Sequence, residues 1–113
     1  MNPIDQTTFD DLRETAGADF VAELVDTFLE EAPAMLADLR SARAAADADR
    51  FRRAAHSLKS NSHTFGAMAL GALAREVELR GLSADPSVDS AALDALEAAY
   101  AQAASALTEL CDG

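Results

Sequence analysis

Residues 20–39 read FVAELVDTFLEEAPAMLADL, and the spacing of the apolar residues in this stretch indicates the class of fold. The apolar residues recur at steps of three and four, which is the repeat of one face of an α-helix. They are Phe20, Val21, Leu24, Val25, Phe28, Leu29, Ala32, Met35, Leu36 and Leu39. The repeat resumes in phase after Pro33, so we predict one long helix over about 18–46 that bends at the proline rather than breaking.

The same repeat predicts helices on both sides of this stretch. A short leading helix with Asn2 as its cap would precede the long one, and three more helices would follow it. The predicted ranges are about 4–15 for the leading helix and about 48–64, 67–81 and 89–111 for the others. No stretch alternates apolar and polar residues for long enough to predict a strand. We therefore predict an all-α fold and a single domain over 1–113, an antiparallel up-down four-helix bundle with a short additional N-terminal helix.

Composition excludes several classes of function. The formal net charge is -11, from 20 acidic and 9 basic residues, and such a field repels nucleic acid and anionic lipid. No apolar run approaches the roughly 18 residues of a membrane span, and the first residues lack the features of a signal peptide. A single cysteine, Cys111, excludes an intrachain disulfide and indicates a reducing compartment. We expect a cytoplasmic protein that binds neither nucleic acid nor membrane.

The helix predicted over 48–64 has two different faces. At about 100° per residue, one arc near Phe51 is apolar and should face the core. Its other members are Ala55, Leu58, Ser62 and Phe65. A second arc, about 80–140° away, carries both histidines and the only lysine of the chain. That arc consists of Arg52, His56, Lys59 and His63, with Ser60 at its outer edge. A cationic stripe on an acidic protein indicates an acidic or phosphorylated partner.

Residues 55–66 read AHSLKSNSHTFG. This stretch resembles the signature of the histidine-containing phosphotransfer (HPt) family, His-x-Leu-Lys-Gly followed by five residues and another glycine. The matching residues are His56, Leu58, Lys59 and Gly66. Segments 28–33 and 70–82 look like the flanking helices of the same family. The resemblance implies a helical bundle that carries a phosphoryl group on His56.

The resemblance also implies partners and roles. His56 would accept the group from a receiver-domain aspartate and pass it to another receiver, since an exposed imidazole is largely neutral and nucleophilic at neutral pH. Lys59 would support the phosphoryl oxygens, and Arg52 would do the same or dock on the receiver. The partners would be the receiver domains of response regulators and hybrid histidine kinases. Mg²⁺ would belong to the receiver, so we expect no cofactor and no metal on this chain.

Two residues depart from the family pattern. Ser60 stands where the family has glycine, and its bulk would alter how closely a receiver approaches. His63 stands where the family usually has a small residue, and we interpret it as a contact at the rim of the partner surface. Gly66 would end the helix and let the next one pack closely, at the edge of the same surface.

Other classes of function remain to be compared. The main alternative is a noncatalytic helical module that binds and modulates a receiver or a histidine kinase. A zinc site is disfavoured, because His56 and His63 stand seven residues apart instead of three or four. Gly66 and Gly71 lack the Gly-Lys-Ser/Thr ending of a phosphate-binding loop, so we expect no ATP site and no kinase activity. The leading hypothesis is a monomeric phosphotransfer protein that is not an enzyme.

Overall fold

The computed structural model describes residues 3–112, and side chains for residues 3–111. It contains five α-helices within that range, and none of these residues lies in a strand. The helices are α1 (Gln6–Ala16), α2 (Ala18–Ala44), α3 (Ala48–Thr64), α4 (Met68–Arg80) and α5 (Pro86–Asp112). Each of α2 to α5 packs against two neighbours, in the cyclic order α2, α3, α4, α5, and α1 packs against α2. The predicted all-α bundle with a short leading helix is confirmed.

The core contains the apolar arc predicted for α3. Phe51, Ala55, Leu58, Ser62 and Phe65 are all buried. The Ser62 hydroxyl is satisfied within the core, because it donates to the Leu58 carbonyl at 2.6 Å. Burial of this arc fixes the rotation of α3, and the second arc, with His56, therefore lies outside the core.

The start of α5 differs from the prediction. The helix begins at Pro86, three residues before the predicted start. Proline suits the first helical position, because it has no N–H to leave unpaired and its φ is already helical. The Asp85 carboxylate accepts from the backbone N–H and the hydroxyl of Ser87, at 3.0 and 2.8 Å, and so caps the new helix.

The other helix limits shift by smaller amounts. The first helix begins at Gln6 instead of 4, because Asp5 caps it by accepting from the Thr8 N–H at 3.1 Å. The predicted cap, Asn2, lies outside the described residues. The second helix runs through Pro33 and ends at Ala44, because the chain turns where Ala46 has a φ of 56°. The third has the predicted range, and the fourth is one residue shorter at each end.

The short turn between α3 and α4 determines how the site is assembled. Gly66 has a φ of 81°, and its carbonyl accepts from the Asp5 N–H at 2.7 Å. A Cβ atom at this position would lie 2.9 Å from the Asp5 carbonyl oxygen. The turn is therefore tight and covered by the start of α1. It returns the chain so that α4 runs back along α3.

Two arginines join α2 to α5 on the seam across the bundle from α3 and α4. Asp89 is fully buried, and it accepts from Arg43 Nε at 3.1 Å and from the Ser83 N–H. Arg40 binds Asp94 and Glu97, each at 2.8 Å. These bonds raise the pKa of Arg40 and lower that of Glu97. The α2–α5 seam is thus closed by ion pairs.

Among the described helices, none combines the length and the apolar character that crossing a membrane would require.

Candidate functional site

His56 lies in the middle of α3, and 58% of its side-chain surface is exposed. Its Nδ1 atom lies 2.6 Å from Oε2 of Glu78, a residue of α4 whose side chain is 18% exposed. The carboxylate reaches only one edge of the ring. The rest of the imidazole is open to solvent and to a partner.

Lys59 binds the same carboxylate. Its Nζ atom donates to Glu78 Oε1 at 2.7 Å, and its side chain is 23% exposed. Lys59 is therefore held by a partner on the neighbouring helix instead of being freely solvated. One acidic residue of α4 holds both His56 and Lys59, which lie one turn apart on α3.

The ionisation of Glu78 determines which nitrogen of the ring can react. The hydrogen bond from Lys59 lowers the Glu78 pKa most, and the bond to His56 lowers it further, against partial burial, which raises it. Glu78 is therefore a carboxylate at neutral pH, and a carboxylate can only accept hydrogen bonds. It follows that Nδ1 carries the ring proton, and the lone pair of the neutral imidazole lies on Nε2. In that form of the ring, the nitrogen that can act as the nucleophile is Nε2, which Glu78 does not bind.

Arg52 lies one turn before His56 on α3 and is exposed. With Arg53, His56, Ser57 and Glu78 it lines a shallow depression of about 330 Å³. Arg53 pairs with Asp49 at 3.2 Å, but the side chain of Arg52 makes no hydrogen bond or ion pair with the described residues. The depression is thus lined by one neutralised and one uncompensated guanidinium.

The remaining predicted residues have different surroundings. Ser60 is exposed on the outer edge of α3. His63 is exposed, and its ring lies against Gly71 of α4, where an added Cβ atom would overlap it. Gly66 is buried beneath Asp5 and Thr8, so it does not lie on the surface around His56. His63 and Gly66 therefore contribute to the packing of this helix pair.

Glu78 was absent from the sequence-based prediction. A signal for it exists, because on a helical wheel Glu78 lies about 40° from Ala74, at the edge of the buried arc of α4. Acidic residues at such positions usually have a partner. The partner itself was not predictable, since it depends on the register between α3 and α4.

Among the side chains of residues 3–111, no group of three or more histidines, cysteines, aspartates or glutamates has the arrangement to hold a metal ion.

Comparison with known proteins gives one match. A protein-family model described as "Hpt domain" matches residues 23–106. The matched range includes α3 and α4 entire, and with them His56, Lys59 and Glu78. A search of curated proteins and a search of solved structures each found no match.

Proposed function

Because the chain belongs to the Hpt domain family, we propose that it is a phosphorelay intermediate that carries a phosphoryl group on His56 between receiver-domain aspartates. The family match confirms the resemblance predicted from residues 55–66. Hpt domains are histidine phosphotransfer modules of two-component signalling, without kinase activity. The observation that carries the proposal is the exposed His56 ring, held at Nδ1 by an ionised Glu78.

The proposed transfer uses Nε2 of His56 as the nucleophile. Its lone pair attacks the phosphorus of an aspartyl phosphate, the N–P bond forms, and the P–O bond to the aspartate breaks. The aspartate leaves as a carboxylate, and the ring becomes positively charged while it keeps its Nδ1 proton. Glu78 offsets that charge through the existing hydrogen bond. In the onward step, a second aspartate attacks the phosphorus and the electrons of the N–P bond return to Nε2.

The receiver would supply the rest of the chemistry. Phosphoryl transfer depends mainly on positioning and on neutralising charge, and the Mg²⁺ and acidic pocket for this would belong to the receiver. The chain would then need no cofactor of its own.

The exposed side of α4 also supports a protein partner. Met68, Arg75 and Leu79 are exposed on α4, and on a helical wheel they lie within about 40° of one another. Apolar surface beside cationic groups is suited to a partner with an apolar contact area and an acidic edge. A cytoplasmic, monomeric protein that docks one receiver at a time is part of the same proposal.

The test is transfer from receivers carrying ³²P on their aspartate. Wild-type protein should take label that is acid-labile and alkali-stable, and a His56→Gln variant should take none. His63→Gln is the matched control, because it removes the other histidine, and it should be labelled fully. Label retained by His56→Gln would exclude His56 as the acceptor. Tight binding of a receiver that survives His56→Gln, with no transfer in wild type, would instead assign a noncatalytic interaction module.

A further inference from the structure

The Lys59 amine beside His56 is already paired with a carboxylate, so it is not free to balance the charge of a phosphoryl group. Lys59 and Glu78 form an ion pair at 2.7 Å, so their charges cancel. A phosphoryl group adds about -1.5 to -2 charges at neutral pH. Lys59 keeps free N–H groups, but its charge already compensates a carboxylate in a half-buried position. Even with the positive ring that transfer produces, Lys59, Glu78 and a phosphoryl group of about -2 leave a net negative charge, which a further cation would balance.

Most arginines of the chain are already engaged. Those with carboxylate partners are Arg40, Arg43, Arg50 and Arg53, and Arg13 binds the Leu110 carbonyl and the Phe9 ring. Among the described residues, three arginines make no such contact: Arg52, Arg75 and Arg80. A guanidinium that is left uncompensated on a protein with a net charge of -11 is a candidate for binding an anion.

Of these three, Arg52 shares a surface depression with the reacting histidine. Residues four apart on a helix have Cβ atoms about 5–6 Å apart, so the long side chain of Arg52 can reach an atom bonded to Nε2. A guanidinium also presents paired donors that match two oxygens of one phosphoryl group. Arg80 lines a different depression, together with Leu73 and Val88. The position of Arg52, its uncompensated charge and the shape of its guanidinium therefore all suit it to binding a phosphoryl group on His56.

We propose that Arg52 binds the phosphoryl group on His56, while Lys59 holds Glu78 in place. This assignment rests on the proposed function and refines it, because the sequence alone favours Lys59 as the main support for the phosphate. In the phosphorylated state Arg52 donates to the phosphoryl oxygens, and Lys59 and Glu78 keep the ring oriented through Nδ1.

The first experiment measures the partition of label between this chain and a receiver at equilibrium. Arg52→Gln should lower the ratio of phosphorylated chain to phosphorylated receiver about tenfold, because a charge-assisted hydrogen bond is lost. Arg52→Lys should recover part of this ratio, since it restores the charge without the paired donors. Arg80→Gln removes the same charge elsewhere on the surface and should change the ratio less than about twofold. An equal loss in Arg52→Gln and Arg80→Gln would overturn the inference.

The affinity for the unphosphorylated receiver shows whether Arg52 acts in docking or in binding the phosphoryl group. If Arg52 contacts the phosphoryl group, Arg52→Gln leaves this Kd within about twofold of wild type. A weakening of the Kd that matches the change in the label ratio would assign Arg52 to receiver docking and contradict the proposal.

The second experiment needs no receiver. A His63→Gln protein is phosphorylated on His56 with phosphoramidate, and the ³¹P shift is followed through a pH titration. A nearby guanidinium stabilises the dianion, so the second pKa of the phosphoryl group should rise by about half a pH unit in Arg52→Gln. No rise would contradict the inference even if receivers label His56. A rise without any transfer from receivers would support Arg52 and reject the relay function.

Discussion

At the scale of single residues, Glu78 has the largest influence on what His56 can do. Its two oxygens bind Nδ1 of His56 and Nζ of Lys59, at 2.6 and 2.7 Å. The pair of bonds fixes the ring orientation and the position of its proton. The same type of contact, an acidic residue on a histidine nitrogen, selects the tautomer in many catalytic sites.

Replacing the Glu78 carboxylate by an amide should show how much of the transfer rate depends on the orientation of the His56 ring. Glu78→Gln keeps the shape but loses the charge, so the preference for a proton on Nδ1 falls. We expect the rate of transfer from a phosphorylated receiver to His56 to drop about tenfold, less than the loss of a catalytic base in a closed site. Single-turnover labelling gives the rate, and ¹⁵N spectra of the imidazole give the tautomer.

Glu76→Gln is the matched control, since Glu76 is exposed elsewhere on α4. This variant should keep the wild-type rate. An unchanged tautomer and rate in Glu78→Gln would show that the carboxylate does not orient the ring.

The lowered pKa of Glu78 predicts a dependence of stability on pH. The hydrogen bond from Lys59 is its main cause, so the carboxylate has a lower pKa in the folded chain than in the unfolded one. Its contribution is therefore complete above the unfolded value of about 4.3 and is lost as the pH falls through the folded value. The test compares two proteins. One is the single variant His56→Gln, which keeps Glu78, and the other is the double variant that carries both His56→Gln and Glu78→Gln. The gap in unfolding free energy between the two should be constant from pH 7 to about 5 and narrow below about 4.

Urea unfolding at each pH measures this gap. The His56→Gln background removes the titration of the neighbouring imidazole, and His63 is common to both proteins. A gap that widens on acidification would mean that the pair does not favour the carboxylate.

At the scale of elements, the turn between α3 and α4 is the most constrained part of the chain near the site. Gly66 combines a φ of 81° with a close approach of the Asp5 backbone. Gly81 also has a positive φ, of 69°, but an added Cβ atom there would meet nothing within 4 Å. A comparison of the two positions therefore distinguishes the effect of backbone strain from that of steric overlap.

Alanine at these positions should have unequal effects. Gly81→Ala carries only the backbone strain of a conformation that is essentially restricted to glycine, about 1–3 kcal/mol of unfolding free energy. Gly66→Ala adds a contact of 2.9 Å with a backbone oxygen and should cost at least about 1 kcal/mol more. Chemical denaturation of both variants measures the difference. Equal losses of unfolding free energy in the two variants would show that the start of α1 shifts easily and does not constrain the turn.

The elements also show what the sequence can predict. Apolar spacing is a local signal, and it predicts α3 and its buried arc from Phe51 to Phe65. The start of α5 was misjudged because Asp85 and Pro86 are typical of a loop as well as of a helix start, and the choice depends on the Ser87 contacts. Glu78 meets His56 across 22 residues of sequence, so its role depends on packing that no local pattern contains.

At the scale of the whole molecule, the bundle divides its charges between two seams. The α2–α5 seam is closed by Arg40 and Arg43, whose charges are compensated. The α3–α4 seam carries His56 and the uncompensated Arg52. Ion pairs cross both seams, and the α3–α4 side also keeps a guanidinium without a carboxylate partner beside the exposed histidine.

The two seams should respond independently to substitution. Asp89→Asn weakens the bonds from Arg43 and Ser83 to a fully buried carboxylate, so the unfolding free energy should fall by about 1–3 kcal/mol. Labelling of His56 at a temperature where the variant is folded should be unchanged. Thermal and urea unfolding measure the loss.

Asp94→Asn is the control for this seam, because the Asp94 side chain is 70% exposed. Its effect should be below about 1 kcal/mol. A comparable loss in the two variants, or defective labelling of folded Asp89→Asn protein, would contradict the independence of the seams.

Lys59 is the only lysine in the sequence, and its amine lies in the site. Lys59 is therefore the one lysine side chain that an amine-selective acylating reagent can modify, and the yield of that adduct is a chemical reporter. A receiver seated over His56 should slow the modification, and loosening of the Glu78 contact should speed it. Peptide mass mapping of the Lys59 adduct can thus follow occupancy of this face without a radioactive label or an engineered probe.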